Sequence, residues 1–193
     1  LYFAGGAYLK IDEISIIHSG FTFVNDGDTM DPGDVAVWKI TDGFQVMLST
    51  MDIGSYSGFY YYYLGLEADI NAKAPSDFPN GHPLANGNYY RGPNKGYNFV
   101  TITGRIQDPN KPGSEPDIPL KWVIATDDLL TTISQAKSFN VVAGKQVAYD
   151  VVFNVAKLFE GMFPLNTPII NADPGDLNDF NQATVLHQNF KNE

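Results

Sequence analysis

Three histidines, a loop crowded with carboxylates and a set of tyrosines are the side chains of this chain best equipped to bind something. The histidines are His18, His82 and His187, and no two of them share the short spacing that places imidazoles on one metal. His82 stands between Gly81 and Pro83, a turn context that puts an imidazole at a loop surface. Between Asn25 and Asp34 the carboxylates Asp26, Asp28, Asp31 and Asp34 are interleaved with Gly27 and Gly33. Hard cations such as calcium take oxygen donors on turning loops of this kind. The spacing departs from an EF-hand, because Met30 falls at the third ligand position and no glutamate closes the loop. A solvated turn uses Asp and Gly for backbone reasons alone and accounts for the same residues. Asp26, Asp28, Asp31 and His82 are therefore the candidate metal ligands, for calcium or copper. The leading expectation is a protein without a cofactor.

The tyrosines offer a different chemistry. In Gly58-Phe59-Tyr60-Tyr61-Tyr62-Tyr63-Leu64-Gly65-Leu66, alternation puts Tyr60 and Tyr62 on one face of a strand and Tyr61 and Tyr63 on the other. An exposed aromatic face suits stacking on a sugar ring or a protein partner. Tyr89, Tyr90 and Tyr97 extend the candidate ligand-binding set, although buried tyrosines and cross-strand aromatic pairs are also ordinary sheet chemistry.

Catalytic signatures are missing from the sequence. There is no cysteine, hence no thiol nucleophile, thiolate metal site or disulfide. Neither a Gly-x-Ser-x-Gly elbow, a phosphate-binding glycine loop nor a zinc-protease motif occurs. Two carboxylates could serve glycoside hydrolysis, but nothing in the sequence selects a pair. The expectation is a binding protein, not an enzyme.

Charge narrows the partners. With 22 acidic against 12 basic residues the formal net charge is −10, which repels nucleic acid and anionic membrane surfaces. No apolar run is long enough to span a membrane. What remains is a small-molecule, glycan or protein ligand.

The elements that must position these residues are mostly strands. Hydrophobic residues make up 44% and charged residues 18% of the 193 residues, with 18 Gly and 12 Pro scattered as turn formers. That composition fits a single all-β domain. Strands are expected at Tyr8–His18, Val35–Ile40, Phe44–Leu48, Gly58–Glu67, Tyr97–Ile106, Ile118–Ala125, Ser138–Val142 and Gln146–Val155. Asp42-Gly43 makes a hairpin between the second and third, and Ala143-Gly144-Lys145 a tight turn between the last two. Short strands punctuated in this way point to a β-sandwich of jelly-roll or immunoglobulin-like type. Two helices are expected, a short one within Asp127–Gln135 and a longer one over Leu177–Phe190. In the second, Leu177, Phe180, Ala183, Leu186 and Phe190 form one apolar stripe. Asp173-Pro174-Gly175-Asp176 supplies its cap and first turn, and within the acidic cluster Asn171, Asp173, Asp176, Asn178 and Asp179 capping explains Asp173 and Asp176 without a metal. Asp-Pro-Gly-Asp also occurs at 31–34, a repeated turn sequence and not a repeated domain. The excursion from Asp69 to Lys95, carrying Pro75, Pro79, Pro83 and Pro93, is too long for an ordinary connection and is a place to look for function.

The order of these pieces resembles the MbnP-like family of bacterial extracytoplasmic copper-binding proteins. The carrying residues are Tyr8–Ile16, then Gly58–Leu66 running into Ile70-Asn71, then Gly81-His82-Pro83-Leu84. After these come Gly87-Asn88-Tyr89-Tyr90, Gly96-Tyr97-Asn98-Phe99 and the Ala183–Phe190 segment. The resemblance implies a β-sandwich over nearly the whole chain, 1–193. It also implies residence in the periplasm or on the outer-membrane surface, a lipid anchor being one form of this. The family's copper site uses histidines and a tryptophan oxidised to kynurenine by a dihaem partner. This chain departs from that pattern: Gly87–Tyr97 contains no tryptophan, and Pro119-Leu120-Lys121-Trp122-Val123 lacks the expected histidine. The resemblance thus implies an exported binding protein without the family's copper site.

Overall fold

A computed structural model describes residues 8–24, 35–39, 54–111, 113–145, 154–162, 164 and 166–191. The Asp42-Gly43 hairpin, the Phe44–Leu48 run, the acidic loop with Asp26, Asp28 and Asp31, and residues 146–153 of the expected last strand lie outside them. The side chains of Tyr60 and Tyr62 are likewise outside the description, although their backbone is within it.

Strands β1 (Leu9–Val24), β2 (Val35–Lys39), β3 (Gly54–Leu64), β4 (Tyr90–Gly92), β5 (Gly96–Ile106), β6 (Ile118–Ala125), β7 (Thr131–Val141) and β8 (Ile169–Ile170) dominate the chain. The main path through the sheet runs β7-β3-β1-β5-β6-β8, with β2 on β1 and β4 on β5. Among the described residues every strand pairing is antiparallel except β6 with β8. The protein is thus a sheet-rich fold with helices α1 (Ala68–Asn71), α2 (Val155–Leu158) and, near the C-terminus, α3 (Leu177–Lys191).

β1 organises the rest. Ser15 and Ile16 pair with both β2 and β5, while His18 and Ser19 pair with both β2 and β3. A strand has only two hydrogen-bonding edges. β5 and β3 therefore follow one another along one edge of β1, with β2 on the other. The handover falls at Ile17, whose carbonyl accepts from the amide of Gly65 at 2.9 Å. One extra residue, Asp12, bulges between Ile11 and Glu13, which is why Leu9 and Ile11 share a core with Ile14 and Ile16 despite the change of parity.

The register builds the larger core as cross-strand rows. Ile14, Ile102, Trp122 and Ile170 stand opposite one another across β1, β5, β6 and β8, and Ile16, Val100 and Ile124 form the next row. All seven are buried, and Ala183, Leu186 and Phe190 of α3 belong to the same cluster. Trp122 lies 5.0 Å from the ring of Phe159 and its indole N–H donates to the Thr167 carbonyl at 2.7 Å, so its one polar atom is satisfied. Asn189 fastens α3 to the end of α2 by donating to the carbonyls of Leu158 and Glu160.

Several expectations are corrected. Asp127–Gln135 is not a helix: Asp127–Leu129 forms a single 3₁₀ turn and the chain enters β7 at Thr131. Val155 opens α2 and does not end a strand. In α3 the buried face is Ala183, Leu186, His187 and Phe190, whereas Leu177 is 75% exposed. Pro174 lies in the turn before the helix, and Asp176 is the cap, its Oδ1 accepting from the amides of Asn178 and Asp179. β5, β6 and the turn at Ala143-Gly144-Lys145 match expectation, with the Lys145 amide donating to the Val142 carbonyl.

Candidate functional site

The excursion between β3 and β5 folds on a core of its own. On β5, Val100, Ile102 and Ile106 face the larger core while Tyr97 and Phe99, of opposite parity, face a second one with Ile17, Leu66 and Leu84. Ile70, Phe78, Tyr89, Tyr90, Val35 and Val37 pack partly against this second cluster. A 3₁₀ turn at Pro75–Asp77, another at Pro83–Ala85 and a third at Gly87–Tyr89 carry the chain across it. Prolines fix the entry of the first two, where the missing N–H is not needed.

Asn71 is the buried pin of this structure. Its Oδ1 accepts from the Tyr97 amide and its Nδ2 donates to Asp127 Oδ1, both at 2.8 Å. Gly96 has φ +62°, and a side chain there would meet the Asn71 amide group. Gly65, with φ +110°, is similarly overlain by the ring of Phe99. The start of β5 and the end of β3 are thereby held in one arrangement.

His82 is fixed by two contacts. Its ring stacks on Phe78 at 4.5 Å with 13° between planes, and its Nδ1 accepts from the Leu84 amide at 3.1 Å. An acceptor at Nδ1 leaves the proton on Nε2. Asn86 Oδ1 is used in the same way, accepting from the Asn88 amide at 3.0 Å. Val37, Asn80, His82, Pro83, Asn86 and Tyr89 line an open depression of about 640 Å³, and among the described residues no carboxylate, lysine or arginine lines it.

The tyrosines divide. Tyr89 and Tyr90 are half-buried, and Tyr89 reaches the depression. Tyr97, expected on a binding platform, is fully buried, its ring 5.1 Å from that of Tyr90 and its hydroxyl donating to the Leu84 carbonyl at 3.4 Å. Burial, with lesser contributions from Tyr90 and Asp77, pushes its phenol up to about 12. It supports the site from below and does not face a ligand. Tyr60 and Tyr62 occupy β3 opposite Gln135 and Ile133 of β7.

No group of three or more metal-ligating side chains forms among the described residues. His187 is buried in α3, and Trp122 is sealed in the larger core, so neither joins His82. The second acidic cluster is structural: Asp179 accepts from the amides of Asn171 and Asp173, and Asp173 from that of Gly175. Asn71, Asn80, Asn86 and Val37 are the site residues that motif reading passes over. The Asn80-Gly81 and Asn86-Gly87 pairs were the available signal, since they mark turns on either side of His82.

No helix among the described residues is long and apolar enough to cross a membrane. No family model matches the chain, and no curated protein or solved structure matches it.

Proposed function

We propose that this is an exported, non-catalytic binding protein of the MbnP-like type, lacking that family's copper site and using the face of its Asp69–Lys95 excursion to recognise a ligand. The observation that carries this reading is the depression beside His82 and Tyr89, whose described lining is uncharged, built on a second core that fixes its side chains. A long connection that buries a core of its own and then leaves a concave surface open is expected of a binding loop. In this reading the β-sandwich is completed around the described sheet, and the protein sits in the periplasm or on the outer-membrane surface, with or without a lipid anchor.

Hydrogen exchange read by mass spectrometry tests the proposal, with the protein alone, with a cell-envelope extract, and with copper or calcium salts. Protection confined to residues 78–90 in the extract is the expected result. Unchanged exchange there in every arm overturns it. A retained equivalent of copper slowing exchange around His82, or of calcium around Asp26, Asp28 and Asp31, would replace it with a metal-binding function.

A further inference from the structure

From the depression beside His82 we infer the class of ligand, a neutral saccharide, an inference that rests on the binding function proposed above. Three observations converge on it.

The first is charge. The protein carries −10 overall, and Asp69, Lys73, Asp77, Arg91 and Lys95 all belong to the same excursion, yet none of them lines the depression. Among the described residues an anion would find no cation there to offset its desolvation, and a cation would find no carboxylate. The lining suits a ligand whose polarity resides in neutral groups.

The second is the hydrogen-bonding inventory. The acceptor atoms of two lining residues are already used within the protein: His82 Nδ1 by the Leu84 amide and Asn86 Oδ1 by the Asn88 amide. For a ligand His82 keeps its Nε2–H donor, and Asn86 keeps its NH₂ donors beside the second lone pair of Oδ1. Exposed Asn80 adds a carboxamide and Tyr89 a hydroxyl. Ring, glycosidic and hydroxyl oxygens of a sugar accept from such donors, and sugar hydroxyls donate back to the phenol. Two backbone amides of the lining are already engaged within the turns: the Ala85 amide donates to the His82 carbonyl and the His82 amide to that of Pro79. Apart from Val37 on β2, the described lining comes from turns and not from paired strands.

The third is rigidity. His82 is stacked on Phe78, and Phe78 meets Tyr97 edge-on at 6.4 Å. Tyr89 packs partly on the second core while lining the depression. Aromatic surfaces held in this way suit the apolar C–H face of a pyranose and lose little rotamer freedom on binding. The site is open and shallow, so the dissociation constant should be on the order of 0.1–1 mM.

Saturation-transfer NMR on the full chain tests the inference with four sets of probes: neutral pentasaccharides of glucose, mannose and N-acetylglucosamine, an oligogalacturonate, a mixture of neutral hexapeptides, and a basic hexapeptide. The variants are Asn80→Ala, Tyr89→Ala and, as a control off the lining, Lys95→Ala. Asn80 is exposed, so its substitution leaves the fold intact even if loss of Tyr89 loosens the second core. The expected result is transfer to at least one neutral saccharide, weakened five-fold or more by Asn80→Ala and Tyr89→Ala and unchanged by Lys95→Ala. Transfer only to the uronate or to peptides, with the same dependence on Asn80, overturns the saccharide class and leaves the binding function standing. Saccharide binding indifferent to both lining variants overturns the assignment of the site. Silence from every probe overturns the saccharide class. If the extract still protects residues 78–90, the binding function survives it, and if not, both fall.

Discussion

At the scale of single residues, Asn71 is the side chain on which the excursion depends. It is buried and joins three segments, its own helix α1, the start of β5 through the Tyr97 amide, and the turn before β7 through Asp127. Removing a buried partner leaves the remaining donor unsatisfied, which costs more than the bond contributes. Asn71→Ala is expected to lower stability by about 2 kcal/mol, measured by urea denaturation. Gly96→Ala should cost at least about 1–2 kcal/mol, because it adds both a Cβ at positive φ and a collision with the Asn71 amide. His187 makes a different prediction. It is 6% exposed, and neither ring nitrogen has a hydrogen-bond partner among the described residues. Burial, helped by the like charge of Lys191, holds its pKa below the ordinary histidine value. The unfolded chain takes up a proton near pH 6.5 that the native state refuses. The stability this group supports is therefore complete above that pH and falls as pH drops from it toward the lowered native value. Between about pH 7.5 and about pH 5.5 the urea midpoint should fall, and His187→Leu should flatten that dependence. None of this was legible beforehand, because burial of a lone histidine or asparagine is a property of the packing around it. Tyr97 was misplaced for a related reason. Both faces of β5 are buried over its first residues, Gly96 to Val100, so alternation identifies a strand without telling which face is a platform and which a core.

At the scale of elements, what was readable and what was not follows the balance of local against distant forces. β5, β6 and α3 were legible because each is a long apolar-rich segment with turn formers at its ends. Asp127–Gln135 was misread because Asp127-Asp128-Leu129-Leu130 has the acidic start and apolar follow-on of a helix. After one turn, Thr131, Thr132 and Ile133 enter an eleven-residue ladder with β3 instead. β-Branched side chains and a partner strand outweigh weak helix propensity. The α3 terminus shows local logic succeeding. Asp176 caps the helix and Asp179 ties the Asn171 and Asp173 amides, so Asp179→Ala should lower stability by about 1–2 kcal/mol in thermal unfolding, with Asp179→Asn recovering part of the loss. Arg91 extends this terminus to the excursion. Its guanidinium donates to the Asn171 carbonyl at 2.7 Å, and although burial lowers its pKa, Asp173 and Asp179 oppose that shift. Arg91→Met should therefore speed amide exchange in β4 and in residues 171–173 together. Faster exchange in β4 alone would show that the two elements are not coupled.

At the scale of the whole molecule, a strongly acidic chain presents a concavity whose described lining is uncharged, and that contrast is open to measurement independently of any mutation. The larger core holds α3 against one set of strand faces, and the smaller one holds the excursion against the other parity of β5. Charges are left to the remaining surface, as with Glu13, which is partly exposed, ion-paired to Lys39 and held below the usual carboxylate pKa by that contact and by Ser15. Raising salt from about 10 mM to about 1 M shortens the Debye length from about 30 Å to about 3 Å. That change removes the long-range field of a net charge of −10. A cationic ligand would lose that field's attraction and bind more weakly in high salt, while an anionic one would be relieved of repulsion and bind more tightly. A neutral saccharide held by His82, Asn86 and Tyr89 has no net charge for the field to act on. Its affinity, followed by saturation transfer across that range of salt, should change by less than about two-fold. A change of ten-fold in either direction would show that charge, and not the donor-rich uncharged lining, selects what this protein binds.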